Sequence, residues 1–295
     1  MAFAEDLRRR ILLLDGAMGT MLLAKGVKGC LELANVEQSD VVADIHRAYL
    51  QAGADIITTN TTCADALCLE QYGLSSRARE LAKAGAEVAR RVADEFSTTL
   101  QPRYVAGSVG PTTRNLTLAN DVTAERLAEV YAEVIGSLIE GGVDIILIET
   151  AMDASNVKIA VEECRKIDKH IPIVISAVLS RIAGRVASGA TIDKFLGDIP
   201  LDEVSVVGFN CSNGVKSAEE SLKMLAVKSD KPIILYPSAG QPIVAANHFA
   251  KDMEALCRAG LLNIVGGCCG TTPAYTESMA NVAQRWRPRK TGKKN

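Results

Sequence analysis

Nowhere in its 295 residues does the sequence contain an apolar run of membrane-spanning length, so no α-helical membrane anchor is expected. The charged start, Met1 to Arg10, is followed by a short apolar run, Ile11 to Leu14, too brief for the core of a secretory signal. Neither charge is in excess: 33 Lys and Arg stand against 35 Asp and Glu, a formal net charge of -2. The broad basic footprint of a nucleic-acid-binding surface is missing, and nucleic acid is not expected as a partner. The one basic cluster, Arg285 to Lys294, reads as a solvated end rather than a docking element. There is no Gly/Ser-rich linker and no low-complexity segment, so no domain boundary is expected. The glycines follow neither the GxGxxG nor the Walker spacing, which weakens any nucleotide-phosphate reading. Eight cysteines (30, 63, 68, 164, 211, 257, 268 and 269) are scattered without a dense disulfide framework, as suits a reducing, cytoplasmic compartment.

What the chain does have is hydrophobic material, 48% of its residues, arranged in short β-branched runs with amphipathic segments between them. Strands are expected over Ile11–Asp15, Asp55–Asn60, Tyr104–Gly110, Val143–Thr150, Ile171–Ser180, Val204–Cys211, Pro232–Ser238 and Leu262–Cys268. Most of these runs are continuously apolar rather than alternating, the pattern of a parallel sheet covered on both faces. Helices are expected over Asp40–Gly53, Ser76–Phe96, Ala124–Gly141, Ala154–His170, Ser217–Lys228 and Ala250–Gly260. Eight strands alternating with helices in a chain of this length favour a single-domain α/β fold, the (β/α)8 TIM barrel, with an open doubly wound sheet as runner-up. The expected organisation is a lead-in helix over 1–10, the barrel over 11–285 and a basic tail over 286–295. Asp15, Asn60, Glu149, Ser180, Cys211, Ser238, Cys268 and Cys269 all fall at strand ends, which a closed barrel gathers on one rim.

The cysteines carry the sharpest chemistry. Cys268 and Cys269 are adjacent in a glycine-rich turn after the last strand, where a disulfide between neighbours would be strained. With Cys211 at the end of the sixth strand they make a candidate three-thiolate zinc site with one open position, able to hold a substrate thiol as a nucleophile. From spacing alone, inert core cysteines or a redox pair explain them equally well. Asp15 either caps the turn or helix after the first strand, the reading its position alone favours, or holds an amino group. Glu149 ends a strongly apolar strand and needs a donor or cation, from a substrate ammonium or from an internal arginine. The hydroxyl-rich turns Thr58–Thr62 and Gly107–Thr112 offer donors to a ligand or caps to the next helix. His46, His170 and His248 lie in or beside helices and are left out of the site.

Taken in order, Asp15-Gly-Ala-Met-Gly-Thr20, Ala52 to Thr61, Gly107-Ser-Val-Gly-Pro111, Glu149-Thr150, Gly208-Phe-Asn210-Cys211 and Gly266-Gly-Cys268-Cys269-Gly-Thr-Thr-Pro273 resemble the homocysteine S-methyltransferase family. The likeness runs from about residue 11 to residue 285. It implies the (β/α)8 barrel, catalytic zinc on Cys211, Cys268 and Cys269, and a grip of Asp15 and Glu149 on the amino group of homocysteine. Asn60, Ser108, Asn210 and Ser238 join these as expected substrate contacts. The Pro237–Pro242 turn and the Ser188–Thr191 segment are most similar to the homocysteine-binding module of cobalamin-dependent methionine synthase. The family usually has asparagine where Ser238 stands, which leaves the fourth zinc ligand open, and Thr62-Cys63 replaces its usual phenylalanine-glycine.

The expected function is therefore zinc-dependent methylation of homocysteine to methionine, with a separate methylcorrinoid (methylcobalamin) protein as donor. S-Methylmethionine, S-adenosylmethionine or betaine is the alternative donor, and a different small thiol the alternative acceptor. A non-catalytic zinc or redox sensor would use the same cysteines but would need no acids to grip an amino acid. The oligomeric state is left open.

Overall fold

Each apolar run expected as a strand forms one, and burial on both faces is why the runs do not alternate. The computed structural model describes residues 2–117, 119–212 and 214–292. Its strands are β1 (Leu12–Leu13), β2 (Ile56–Thr58), β3 (Tyr104–Val109), β4 (Ile145–Ala151), β5 (Ile173–Val178), β6 (Val206–Cys211), β7 (Ile233–Pro237) and β8 (Ile264–Val265). Ahead of β2 lie helices α1 (Ala2–Arg9), α2 (Gly19–Ala24), α3 (Ala34–Glu37) and α4 (Ser39–Gln51). The α5 turn (Ala66–Leu69) and α6 (Ala78–Phe96) follow β2; α7 (Ala124–Glu140) and α8 (Ala154–Ile167) follow β3 and β4. The later strands are followed in turn by α9 (Ile192–Asp198), α10 (Val215–Lys228), α11 (Ala246–Arg258) and α12 (Pro273–Arg285).

All pairings are parallel, in the order β1-β8-β7-β6-β5-β4-β3-β2. The remaining seam is closed by a bridge between Leu14 and Ile56, with Asp15 N donating to Ile56 O (3.0 Å) and Asp55 N to Leu13 O (2.7 Å). An open doubly wound sheet has no bond between its edges, so the fold is a (β/α)8 barrel in a single domain.

Side chains fill the barrel. Leu12, Leu14, Ile56, Ala106, Ile145, Leu147, Val174, Val206, Ile234 and Ile264 form one buried cluster inside it. Helix α1 seals the end where the strands begin, through Phe3 and Leu7, and Phe3 meets Tyr104 edge-on with ring centroids 5.4 Å apart. At that same end Asp55 is buried but fully neutralised by Arg10 (2.8 Å) and Arg103 (3.3 Å). The barrel interior is therefore closed at this end, and the unpaired polar residues gather at the opposite rim, where the strands end.

The strands at the seam are shorter than the sequence pattern predicts, although Asp15 N to Ile56 O and Gly266 N to Leu235 O carry the pairing past β1 and β8. Helix α9, seven residues long, is too brief to stand out by periodicity, yet it buries Ile192, Phe195 and Leu196. The basic tail departs from its reading as a solvated end. Arg289 N donates to Leu262 O (3.0 Å), and its guanidinium donates to the carbonyls of Ala226 (2.9 Å) and Ser229 (2.6 Å). The tail is thus tied to the barrel at least as far as Arg289.

Gly208 pairs with Ile234 in the β6–β7 ladder, and a Cβ there would overlap the Ile234 carbonyl. Gly208→Ala is expected to destabilise the fold by about 1–3 kcal/mol or more through backbone overpacking. Urea denaturation should show a lowered midpoint at unchanged slope. A midpoint equal to that of the wild type would mean that the two strands are not so closely spaced.

Candidate metal centre and substrate pocket

Strands β6 and β8 flank β7, so the residues that end them meet above Pro237. Three backbone bonds fix the meeting: Ser238 N to Cys211 O (2.8 Å), Cys268 N to Pro237 O (2.9 Å) and Ala239 N to Cys269 O (2.9 Å). As β6 turns away, Cys211 and Ser212 both adopt φ of +55°, a left-handed conformation costly for non-glycine residues and concentrated at functional sites. On the other side Gly267 leaves room for Thr271, whose hydroxyl donates to Cys268 O (2.8 Å) and accepts from Ala17 N (3.2 Å).

The sulfurs lie 3.1 Å (Cys211–Cys268), 4.0 Å (Cys211–Cys269) and 3.8 Å (Cys268–Cys269) apart. Thiolates held tetrahedrally at about 2.3 Å from one zinc ion would be separated by roughly 3.8 Å, which the two separations from Cys269 match and the Cys211–Cys268 pair falls short of. Among the described residues no other group of three His, Cys, Asp or Glu side chains converges in this way. All three cysteines are free thiols, with Cys269 exposed and the other two half-buried. Their mutual hydrogen bonds lower the Cys269 thiol to about 3, against burial. Bonds to the other two sulfurs, together with burial, hold Cys268 well above the ordinary range. Such a trio shares protons because three thiolates this close repel; a cation would remove the conflict.

The acids line the opposite wall. Asp15, 2% exposed, accepts from Thr58 N (2.7 Å) and Thr58 Oγ1 (2.5 Å). It does not cap the following helix: Met18 is the N-cap of α2, and no side chain bonds there. The capping reading favoured by position alone is therefore wrong, because a partner across the barrel seam takes the carboxylate. Burial pushes Asp15 up to about 8; the Thr58 bonds oppose the rise and nearby Glu149 adds to it. Glu149 sits in a register shift between Ile148 and Ala151 of β4. It accepts from Ser108 Oγ, from Tyr236 OH (3.0 Å) and weakly from Thr62 Oγ1 (3.4 Å). Burial raises its pKa as well, against those hydroxyl bonds. Among the described residues neither acid has an ion-pair partner, in contrast with Asp55 at the other end of the barrel.

Asn210 joins the two walls. Its Oδ1 accepts from Thr150 N (3.0 Å) and Ser176 Oγ (2.9 Å), and its Nδ2 donates to Thr150 Oγ1 (2.9 Å). Nδ2 also faces the sulfurs of Cys211 (3.6 Å) and Cys268 (3.9 Å). Thr150, held at φ +56°, is the third strained residue of the rim.

The profile of the homocysteine S-methyltransferase family matches residues 12–283, nearly the whole chain and every residue of this site. The chain belongs to that family. It is accordingly a methyltransferase that acts on homocysteine. In overall fold it is similar to the Escherichia coli homocysteine methyltransferase MmuM. The metallated form aligns at a TM-score of 0.78 and 24% identity over 95% of this chain and 98% of that one. The oxidized form aligns at 0.79 and 24% over 92% and 95%. A chitinase catalytic domain from Pyrococcus furiosus shares the architecture at a TM-score of 0.55 with 10% identity over 95% of this chain and 98% of that one.

Of the residues that the family likeness marks as substrate contacts, Ser108 reaches the site through Glu149. Asn60 is spent on the scaffold: its amide donates to Leu31 O (2.8 Å) and Asn35 Oδ1 (2.9 Å), bracing the loop after β2. Ser238 donates to Ser212 O and lines a cleft beside the sulfurs. Sequence reasoning passed over Tyr236, Thr150 and Ser176. Tyr236 had a signal, a lone hydroxyl in the apolar run Ile233-Ile-Leu-Tyr-Pro237, since a buried phenol needs a partner.

The raised Asp15 makes a pH prediction. An unfolded aspartate titrates near ~3.9, whereas the folded one holds its proton up to about 8. The contribution of that proton to stability is complete below the unfolded pKa and is lost as pH rises through the folded one. In metal-free protein, Asp15→Asn should lose less stability between these limits than the wild type does, read as urea midpoints at the two ends of the window. Parallel pH dependences would place the titrating acid elsewhere.

Proposed function

We propose that this protein methylates homocysteine to methionine with the amino acid held between the two walls of the rim. The observation that carries the reading is a pair of buried acids without cations, joined through Asn210 to a cluster of three thiols. The substrate ammonium supplies the charge that Asp15 and Glu149 lack, and Ser108, Thr58 and Tyr236 keep the two carboxylates aimed at it. Fixed at that end, the substrate thiol reaches the sulfurs of Cys211, Cys268 and Cys269.

The donor set fits zinc, which when bound would supply the Lewis acidity that keeps the substrate sulfur ionised at neutral pH. In the transfer, the substrate sulfur forms a bond to the methyl carbon. The bond from that carbon to its carrier breaks with the electron pair going to the carrier, and the thiol proton passes to solvent. Positioning by the acids converts the encounter into an oriented one. The donor arrives in trans at the open rim. A methylcorrinoid (methylcobalamin) protein is the first to offer, from the likeness to the cobalamin-dependent synthase module, with S-methylmethionine, S-adenosylmethionine and betaine as small alternatives. Eight free cysteines are consistent with a reducing cytoplasm.

Mass-spectrometric detection of methionine, with each donor supplied separately to zinc-loaded protein and homocysteine, tests the reaction. Cys268→Ser should lose both bound zinc and turnover; full activity in a zinc-free form of that variant would reject the metal's role. Glu149→Gln and Asp15→Asn should each raise the KM for homocysteine roughly 10- to 100-fold, the loss of one charge-assisted contact. Zinc content should be unchanged in both. Unaltered KM values would move the amino-group site elsewhere.

A further inference from the structure

On the far side of Cys211 and Cys269 from the acids opens a cleft of about 990 Å³, lined in part by Leu179, Arg181, Ser217, Ser238 and Ile243. Arg181 is the one charged residue among the described residues of that lining. Its hydroxyls are already committed to the protein: Ser180 donates to Ile182 O (2.9 Å), Ser217 to Gly214 O (2.8 Å), Ser212 to Asn210 O (3.3 Å) and Ser238 to Ser212 O. Among the described residues the exposed guanidinium forms none of the ion pairs that occupy most other arginines of the chain. Its backbone is held in place. The β5–α9 loop folds back on itself through bridges Leu179–Val186 and Arg185–Thr191, and Ser180 N donates to Arg185 O (3.0 Å), fixing Arg181 near the tip.

The rim is thus divided by charge, with uncompensated acids on one side of the sulfurs and an uncompensated cation on the other. We infer that Arg181 binds a carboxylate on the methyl donor, so that this cleft takes a small donor of amino-acid-like chemistry, its carbon chain against Leu179 and Ile243. The inference rests on the methyl-transfer reading above and, within it, favours the small carboxylate donors over the methylcorrinoid protein. The side chain acts as a specificity determinant that anchors the donor's anionic end while the methyl carbon faces the sulfurs.

Iodoacetate and iodoacetamide provide a test that needs no turnover. Both alkylate a cysteine sulfur with loss of iodide and differ in whether the transferred carbon carries a carboxylate. In zinc-loaded protein, the ratio of iodoacetate to iodoacetamide rates at Cys269, read by peptide mapping, should fall about three- to tenfold in Arg181→Ala, the scale of one partly screened charge pair. It should be largely kept in Arg181→Lys and should decline with added salt in the wild type. An unchanged ratio in Arg181→Ala overturns the inference. In turnover, the same variant should raise the KM for a carboxylate donor such as S-methylmethionine about tenfold, with the KM for homocysteine and zinc content unchanged. A donor KM that does not move, or activity only with a methylcorrinoid protein and unaffected by Arg181→Ala, also overturns it. Failure of the wild type to methylate homocysteine with any donor would instead remove the functional reading, leaving the alkylation ratio to decide whether Arg181 captures an anion.

Discussion

The side-chain amide of Asn210 is the joint on which the rim depends. It closes a two-way pair with the backbone N and hydroxyl of Thr150, takes a third bond from Ser176, and faces two of the three cysteine sulfurs. Through these contacts the ends of β4, β5 and β6 hold one arrangement. Thr150 and Cys211 both stand in left-handed conformations, and a conformation of that kind persists only where its surroundings over-determine it. Glu149 and Cys211 are the immediate chain neighbours of this joint. The position of an acid and the position of a sulfur are thus set by one hydrogen-bonded knot.

The knot sits above an interior packed with aliphatic side chains, and this makes its electrostatics expensive. Asp55 shows how the fold treats a buried acid that serves structure, since two arginines and a backbone N–H surround it. Asp15 and Glu149 are buried to a similar degree with hydroxyl and amide donors alone, and burial raises the pKa of both. The three thiols repeat the pattern, crowded enough that full ionisation requires a cation. Buried acids left without cations while the same barrel pairs Asp55 at its other end are the usual signature of residues kept for a ligand rather than for the fold.

The division between what the sequence reveals and what it hides follows the range of the interactions. Strands were legible because a sheet covered on both faces imposes continuous apolar runs, a local signal. The thiol cluster was legible only as a possibility until the ordered motifs, and then the closed barrel, brought Cys211 to residues 57 and 58 positions away. For Asp15, position alone favoured a cap and only the family likeness pointed to a substrate contact, because helix capping is local whereas its partner Thr58 lies 43 residues on across the seam. Positive φ at Thr150 and Cys211 left no trace, since neither residue is a glycine. The tail looked solvated from its charge, yet Arg289 finds three backbone partners at the strand-starting end of the barrel, contacts that composition does not encode.

A bimolecular displacement at carbon constrains the site further. The nucleophile and the departing carrier must lie on opposite faces of the methyl group, so acceptor and donor cannot share one pocket and must approach the reacting atoms from different sides. The rim supplies two sides that differ in sign: acids over β1 and β4, and an arginine over the loop after β5, with the sulfurs at the boundary. Amino-acid-like substrates carry both an ammonium and a carboxylate, and in the proposed reading each half of the rim would engage a different one of these groups. A molecule seated by its ammonium puts its far end at the thiols from one direction, and one seated by its carboxylate does so from the other. Under that proposal, charge division across the cysteines would give two chemically similar molecules distinct places, facing each other over the atom to be transferred.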